Sequence, residues 1–205
     1  MALAFACVAV AAAAGDERYA DGRARMIRTI EAHAQSATGA LGRDYLDPRV
    51  LAVMAKVPRH EFVSDWYQGQ AYDDRPLPIG HGQTISQPFI VALMTDMLEV
   101  GPDAVVLEVG TGSGYQAAVL AHLVREVHTI EIIPELAATA RETLEGLGYA
   151  NVRTYTGDGY YGVADVAPFD AIMVTAAAQQ VPPPLIQQLR PGGRMVIPVG
   201  GGFNL

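Results

Sequence analysis

The sequence predicts an α/β domain built on a mostly parallel, doubly wound sheet. Three observations carry that expectation. From residue 103 onward, short apolar runs alternate with segments of helical periodicity. Of the 205 residues, 50% are apolar and 18% charged, a balance that fills one substantial core. The first apolar run ends in Gly110, Gly112 and Gly114, at the mouth of a helix, where backbone can come close to a ligand.

In chain order, residues 1–14 are almost wholly apolar and end in an alanine run, similar to the core and cleavage region of a secretory signal. No Lys or Arg precedes that run, and it is shorter than the roughly 20 residues of a spanning helix. Residues 1–22 are therefore read as a leader or disordered N-terminus, and 23–205 as one domain, divided into N-terminal helices and a substrate loop (23–100) and a ligand-binding core (101–205). Met26, Ile27 and Ile30 give a first helix its apolar face. A second helix opens with Asp47 as cap and Pro48 in the first turn, then aligns Val50, Leu51, Met54 and Val57. Pro58 to Pro88 reads as a long loop with short turns, rich in proline and aromatics.

Strands are then expected at Ala104–Val109, Val127–Ile130, Asn151–Tyr155, Phe169–Val174 and Arg194–Val199. Helices are expected at Gln116–Val124, from Pro134 to a stop at Gly148, and at Pro184–Leu189. The formal charge of −8 argues against a nucleic-acid partner, whose affinity comes largely from Lys and Arg on phosphates. Cys7 is the single cysteine, and the five histidines show no paired spacing. Neither an intrachain disulfide nor a metal centre is expected.

The glycine turn narrows the ligand. Tyr115 stands where a dinucleotide fingerprint needs its last glycine, and no Lys follows as a phosphate loop requires. A ligand without phosphate remains: one whose carboxylate meets the turn's amides and whose ammonium meets Glu108 at the strand end. Glu131, closing the second strand, is placed to accept from two ribose hydroxyls, or else caps the helix that opens at Pro134. Asp158, after the third strand, is placed to accept from an adenine amino group, or else makes an Asp-Gly turn.

Glycine turn, strand-two acid and strand-three Asp in this order resemble the Rossmann-like, class I S-adenosylmethionine-dependent methyltransferases. Three further segments are similar to one family among them, protein-L-isoaspartate O-methyltransferase: LPIGHGQTISQP (77–88), GDGYYGVADVAPFDAI (157–172) and PGGRMVIPVG (191–200). The resemblance spans roughly residues 45–204. It implies S-adenosyl-L-methionine as cofactor, held by Gln83, Thr84, Ile85, Ser86, Glu108, Gly110, Thr111, Gly112, Ser113, Gly114, Glu131, Ile132, Asp158 and Gly159. The active-site role falls on Ser86, because the surrounding TISQP matches the family motif; without the resemblance, Ser86 reads as a helix cap ahead of Pro88.

The implied acceptor is the free α-carboxylate of an L-isoaspartyl residue in damaged proteins and peptides, so the implied function is repair. A carboxylate is ionised near neutral pH and needs no general base, consistent with the lack of a triad around Ser86. Trp66, Tyr160 and Tyr161 are read as packing residues, and Asp73 and Asp74 are left outside the site. Family members continue into further strands, so C-terminal strands are expected to be missing after Leu205. A monomer in the cytoplasm is expected, with export through residues 1–14 as the alternative. Three other readings stay open: a nicotinamide-dependent oxidoreductase, which would keep the sheet and the ribose acid but needs a different glycine loop, a small-molecule methyltransferase, and a cofactor-binding protein without turnover.

Overall fold

A computed structural model describes residues 17–176 and 178–200; the leader expected over 1–14 lies outside them. The chain begins with helix α1 (Ala20–Ser36), a single turn α2 (Thr38–Leu41) and helix α3 (Pro48–Met54). Met26, Ile30 and Ala34, one helical turn apart, are the buried face of α1. Asp47 caps α3 by accepting from the Arg49 amide at 2.8 Å, as its place before Pro48 predicts. Order starts ahead of residue 23: Tyr19 stacks on His60 with ring centroids 4.0 Å apart.

The stretch from Pro58 to Pro88 is more regular than a loop. It holds two 3₁₀ turns, Arg59–Phe62 and Asp65–Gln70, and an antiparallel hairpin of β1 (Leu77–Gly80) and β2 (Gln83–Ile85). His81 (φ 52°) and Gly82 (φ 71°) form the hairpin's two-residue connection, both in the left-handed region that tight hairpin loops demand. Pro78 and two glycines disguise this pair in the sequence, where no strand alternation is visible. Leu77 pairs with Ile85 and both are buried, which fixes the register. Helix α4 (Pro88–Leu98) follows and packs on α1 and α3.

The large sheet contains β3 (Val105–Val109), β4 (Glu126–Glu131), β5 (Val152–Thr156), β6 (Phe169–Val174) and β7 (Leu189–Val196), all parallel, in the order β5-β4-β3-β6-β7. Helices α5 (Tyr115–Ala121), α6 (Pro134–Gly146) and α7 (Pro183–Gln188) connect them. Helix α6 ends as Gly148 predicts, with φ 82° and amides of Gly148 and Tyr149 donating back to Glu145 and Leu144, each at 3.0 Å.

Helices on both faces explain why the strands read as continuous apolar runs rather than alternating ones. Val106, Ala171 and Met173 enter the core shared with α1, α3, α4 and α5, while Leu107, Ile172 and Val174 enter a second core with Leu185. Strand β7 starts earlier than Arg194 and absorbs Pro191–Gly193 in an irregularity opposite Phe169 and Ala171. From β3 the chain steps outward to β4 and β5, then returns to β6 on the other side. Sheets of this kind open a crevice at the carboxyl ends of the strands where the order reverses.

Candidate active site

A cavity of about 410 Å³ occupies that crevice. Its floor is the turn after β3. Gly110 has φ 99°, and a Cβ there would lie 2.6 Å from Thr175 Oγ1, so only glycine lets the strand turn this closely against the end of β6. Thr175 Oγ1 uses the space by donating to the Gly110 carbonyl at 2.6 Å.

Most of the turn's amides are spent internally. Gly110 donates to the Ile130 carbonyl at 2.8 Å, Gly112 to Glu131 Oε2 at 2.8 Å and Gly114 to the Thr111 carbonyl at 2.8 Å. The tight turn after Gly110 directs the Gly110 and Gly112 amides to the neighbouring strand β4 and the Gly114 amide back into the turn. Gly114 (φ 88°) serves as the cap residue of α5 beneath Leu144 and does not line the cavity.

Glu131 acts on its own backbone as well. Its Oε1 accepts from the Ile133 amide at 3.0 Å, so the helix-entry role weighed from the sequence is present. Each carboxylate oxygen has a second lone-pair site, which leaves capacity toward the cavity. The side chain lies with residues 130–133 along the wall formed by the end of β4. Asp158 is exposed at the end of β5, where Oδ1 accepts from the Tyr160 amide at 2.9 Å. That bond caps the short 3₁₀ turn Gly159–Tyr161 and aims the carboxylate at the cavity rim.

Glu108 is the electrostatic singularity. It is fully buried in β3, its Oε2 accepts from Thr129 Oγ1 at 2.6 Å, and its Oε1 has no partner among the described residues. Because the Thr129 proton points at Glu108, Thr111 Oγ1 supplies the proton of the 2.7 Å bond between the two threonines. Burial pushes the Glu108 carboxyl up to about 8; the Thr129 bond opposes this and nearby Glu131 adds to it. An unpaired acid that lines a cavity is a ready partner for a cationic group.

The acceptor side comes from the hairpin. Gln83, Thr84, Ile85 and half-buried Ser86 line the cavity opposite nothing cationic: no Lys or Arg is among its lining residues. Ser86 does not cap α4, as its place before Pro88 had suggested. Asp74 does so, accepting from the Phe89 amide at 2.9 Å, and the Ser86 hydroxyl has no bond among the described residues. All the residues expected at the site except Gly114 therefore surround one cavity.

Sequence reasoning missed part of the lining. Val91 and Met94 project from α4, Tyr115 and Gln116 from the start of α5, and Thr175 and Ala176 follow β6. Position after a strand end was the available signal for Thr175 and Ala176. Tyr160, taken as packing, is exposed at the cavity rim, and Trp66 is 83% exposed on the surface. Among the described residues, no three His, Cys, Asp or Glu side chains gather as a metal site.

Fold and cavity together define a doubly wound α/β protein of the nucleoside-binding kind. The family model described as Protein-L-isoaspartate(D-aspartate) O-methyltransferase matches residues 41–204, and the chain belongs to that family. It is 61% identical over 193 residues, covering 94% of the chain and 78% of the relative, to Protein-L-isoaspartate O-methyltransferase 2 of Syntrophobacter fumaroxidans. Identity is 60% over 203 residues, 99% of the chain and 77% of the relative, to Protein-L-isoaspartate O-methyltransferase 1 of Cupriavidus necator.

Solved structures agree. A protein-L-isoaspartate O-methyltransferase superposes with a TM-score of 0.75 at 29% identity over 86% of the chain, which spans 55% of that structure. A second, from Plasmodium falciparum in complex with S-adenosyl-L-homocysteine, gives 0.66 at 25% identity, covering 83% of the chain and 84% of that structure.

Proposed function

We propose that this chain transfers a methyl group from S-adenosylmethionine to the free α-carboxylate of L-isoaspartyl residues in damaged proteins and peptides. Family membership supports the reaction, and the S-adenosyl-L-homocysteine complex of the Plasmodium relative supports the cofactor. The observation that carries the assignment to these residues is the meeting, in one cavity, of the Ser86 loop with carboxylates from three successive strand ends.

The unpartnered Glu108 oxygen fits the ammonium of an amino acid, and Glu131 and Asp158 fit ribose hydroxyls and an adenine amino group. S-adenosylmethionine when bound supplies a methyl already activated by a sulfonium, whose departure is neutral. What the chain contributes is alignment and exclusion of water. Ser86, with a hydroxyl uncommitted among the described residues, orients the acceptor carboxylate; no proton needs to be removed from it. In the methyl ester the acid carries methoxide as its leaving group, so the following backbone amide nitrogen attacks the ester carbonyl, methanol departs and a succinimide closes, which water can open to normal aspartate.

In this reading the protein is a cytoplasmic monomer that takes isoaspartyl proteins and peptides and no nucleic acid; the net charge of −8 supports the last point. Among the described residues, no helix is long and apolar enough to cross a membrane. The deciding measurement is base-labile methyl ester formed on an isoaspartyl peptide and on its aspartyl isomer. Label on the first alone is expected. Equal labelling of both would remove the repair assignment, and cofactor binding without any ester would reduce the chain to a binding protein.

A further inference from the structure

The acceptor is an anion, yet the charged side chains lining the cavity are Glu131 and Asp158, with Glu108 protonated at neutral pH, and no cationic side chain is among them. Left to those groups, an incoming carboxylate meets repulsion. One cation lies directly behind the acceptor loop. Arg59 is fully buried, its Nε donates to the Ala71 carbonyl at 2.7 Å, and its Nη2 donates to the Ser86 carbonyl at 2.7 Å. Its guanidinium also lies 4.7 Å from the ring centre of Tyr115, a cavity residue, on whose face it rests.

The charge is barely neutralised where it stands. No carboxylate forms an ion pair with Arg59 among the described residues; Nη1 meets no acceptor at hydrogen-bond geometry, and the nearest polar group acting on the guanidinium is the buried Tyr115 hydroxyl, which stays neutral because burial pushes it up to about 12. Asp74, the carboxylate whose field reaches it, is already engaged by His33 Nδ1, Gln87 Nε2 and the Phe89 amide at 2.9, 2.7 and 2.9 Å. A desolvated guanidinium of this kind is costly unless its field is used.

We infer that Arg59 is a positioning residue for the acceptor. It fixes the Ser86 backbone and presents a buried positive charge behind it, which draws the isoaspartyl α-carboxylate to the serine. This rests on the acceptor assigned above to Ser86.

The test compares two peptides on the full chain saturated with S-adenosylhomocysteine: an isoaspartyl peptide with its free α-carboxylate, and the same peptide with that group amidated. Calorimetry gives both dissociation constants. Wild-type protein should bind the acid at least about tenfold more tightly than the amide, the effect of one favourable charge at partly screened distance. In Arg59→Met the ratio should fall to about one, read at saturating S-adenosylhomocysteine so that a change in cofactor affinity does not enter it. Arg59→Lys keeps the charge without the fork and should restore most of the preference.

A ratio near one in wild-type protein, an unchanged ratio in Arg59→Met, or a loss in Arg59→Lys as complete as in Arg59→Met would each overturn the inference. Should Arg59→Met fail to fold, the wild-type ratio and the lysine variant decide. Ester formation by wild-type protein is measured alongside. Its absence counts against the acceptor assignment, whereas ester formed with an Arg59-independent ratio counts against Arg59 alone.

Discussion

Gly110, Glu131 and Asp158 stand at or just past the carboxyl ends of three adjacent parallel strands, whereas Ser86 follows a hairpin that, among the described residues, pairs with no strand of the large sheet. On the first side, ladder hydrogen bonds set the position of each functional group, and neighbours in register deliver neighbours in the cavity. On the second side, position depends on single side chains far away in the chain: Arg59 holds the Ser86 carbonyl, and Asp74 holds Gln87 and Phe89. The strand side is thus stiff by construction. The hairpin side rests on its own short ladder, the buried Leu77 and Ile85 and a few polar contacts from distant residues, which suits a surface that must admit a protein chain.

Substitutions should separate the two sides, beginning with the largest effect. Gly110→Ala forces a Cβ within 2.6 Å of Thr175 Oγ1 at φ 99°. We expect a loss of about 2–4 kcal/mol in unfolding free energy and no measurable S-adenosylhomocysteine binding. Chemical denaturation and calorimetry check both. Retained cofactor affinity in that variant would show that the turn is not the rigid part of the site.

Glu108 tests the strand side by pH. Its carboxyl stands at about 8 because it is buried, so at neutral pH it must lose a proton to meet an ammonium as a carboxylate. Cofactor affinity should therefore rise about tenfold between pH 6 and pH 7, with a proton released on binding. Glu108→Gln should flatten that dependence. Before ligand binds, the same group makes folding stability decline as pH climbs from 4.5 toward about 8, since the unfolded chain ionises this carboxyl first. A pH-independent affinity would mean that Glu108 does not face the ammonium.

Asp74→Ala probes the hairpin side. It removes three hydrogen-bonded or ion-paired contacts, to His33, Gln87 and the Phe89 amide, from a side chain that is 9% exposed. Stability should drop by about 1–2 kcal/mol, and KM for an isoaspartyl peptide should rise more than cofactor affinity falls. Equal losses in both would merge the two sides into one mechanical unit.

The same division decides what the sequence could disclose. Strand order, the parallel sheet, and the placing of Glu108, Glu131 and Asp158 follow from local runs and their spacing, because each acid lies next to the strand that carries it. Asp47 and Gly148 likewise announced their helix ends through neighbours in the chain. The hairpin did not, since Pro78, Gly80 and Gly82 remove the alternation that marks a strand. Arg59 and Asp74 were invisible for another reason. Their partners lie 27 and 15 residues away, and a buried arginine looks in sequence like a surface one. Ser86 was reached only through the family motif, and by itself it read as the cap that Asp74 provides.

The smallest effect belongs to Asp158, and it sharpens the contrast within the strand side itself. Unlike Glu108 it is exposed, and one oxygen already caps the Gly159–Tyr161 turn through the Tyr160 amide at 2.9 Å. Asp158→Asn keeps an oxygen for that cap but replaces the charged acceptor facing the cavity with an amide donor, so the turn should survive and thermal stability should change little. If Asp158 reads the adenine amino group, S-adenosylhomocysteine affinity should fall about three- to tenfold, the worth of one solvent-accessible hydrogen bond to a charged group. An analogue carrying a 6-keto base in place of the 6-amino group reverses the donor and acceptor pattern. Asp158→Asn should bind that analogue no worse than wild-type protein does, because its amide can donate. A wild-type protein that binds both nucleosides equally would place the base away from Asp158, and the acid would then be a turn residue alone.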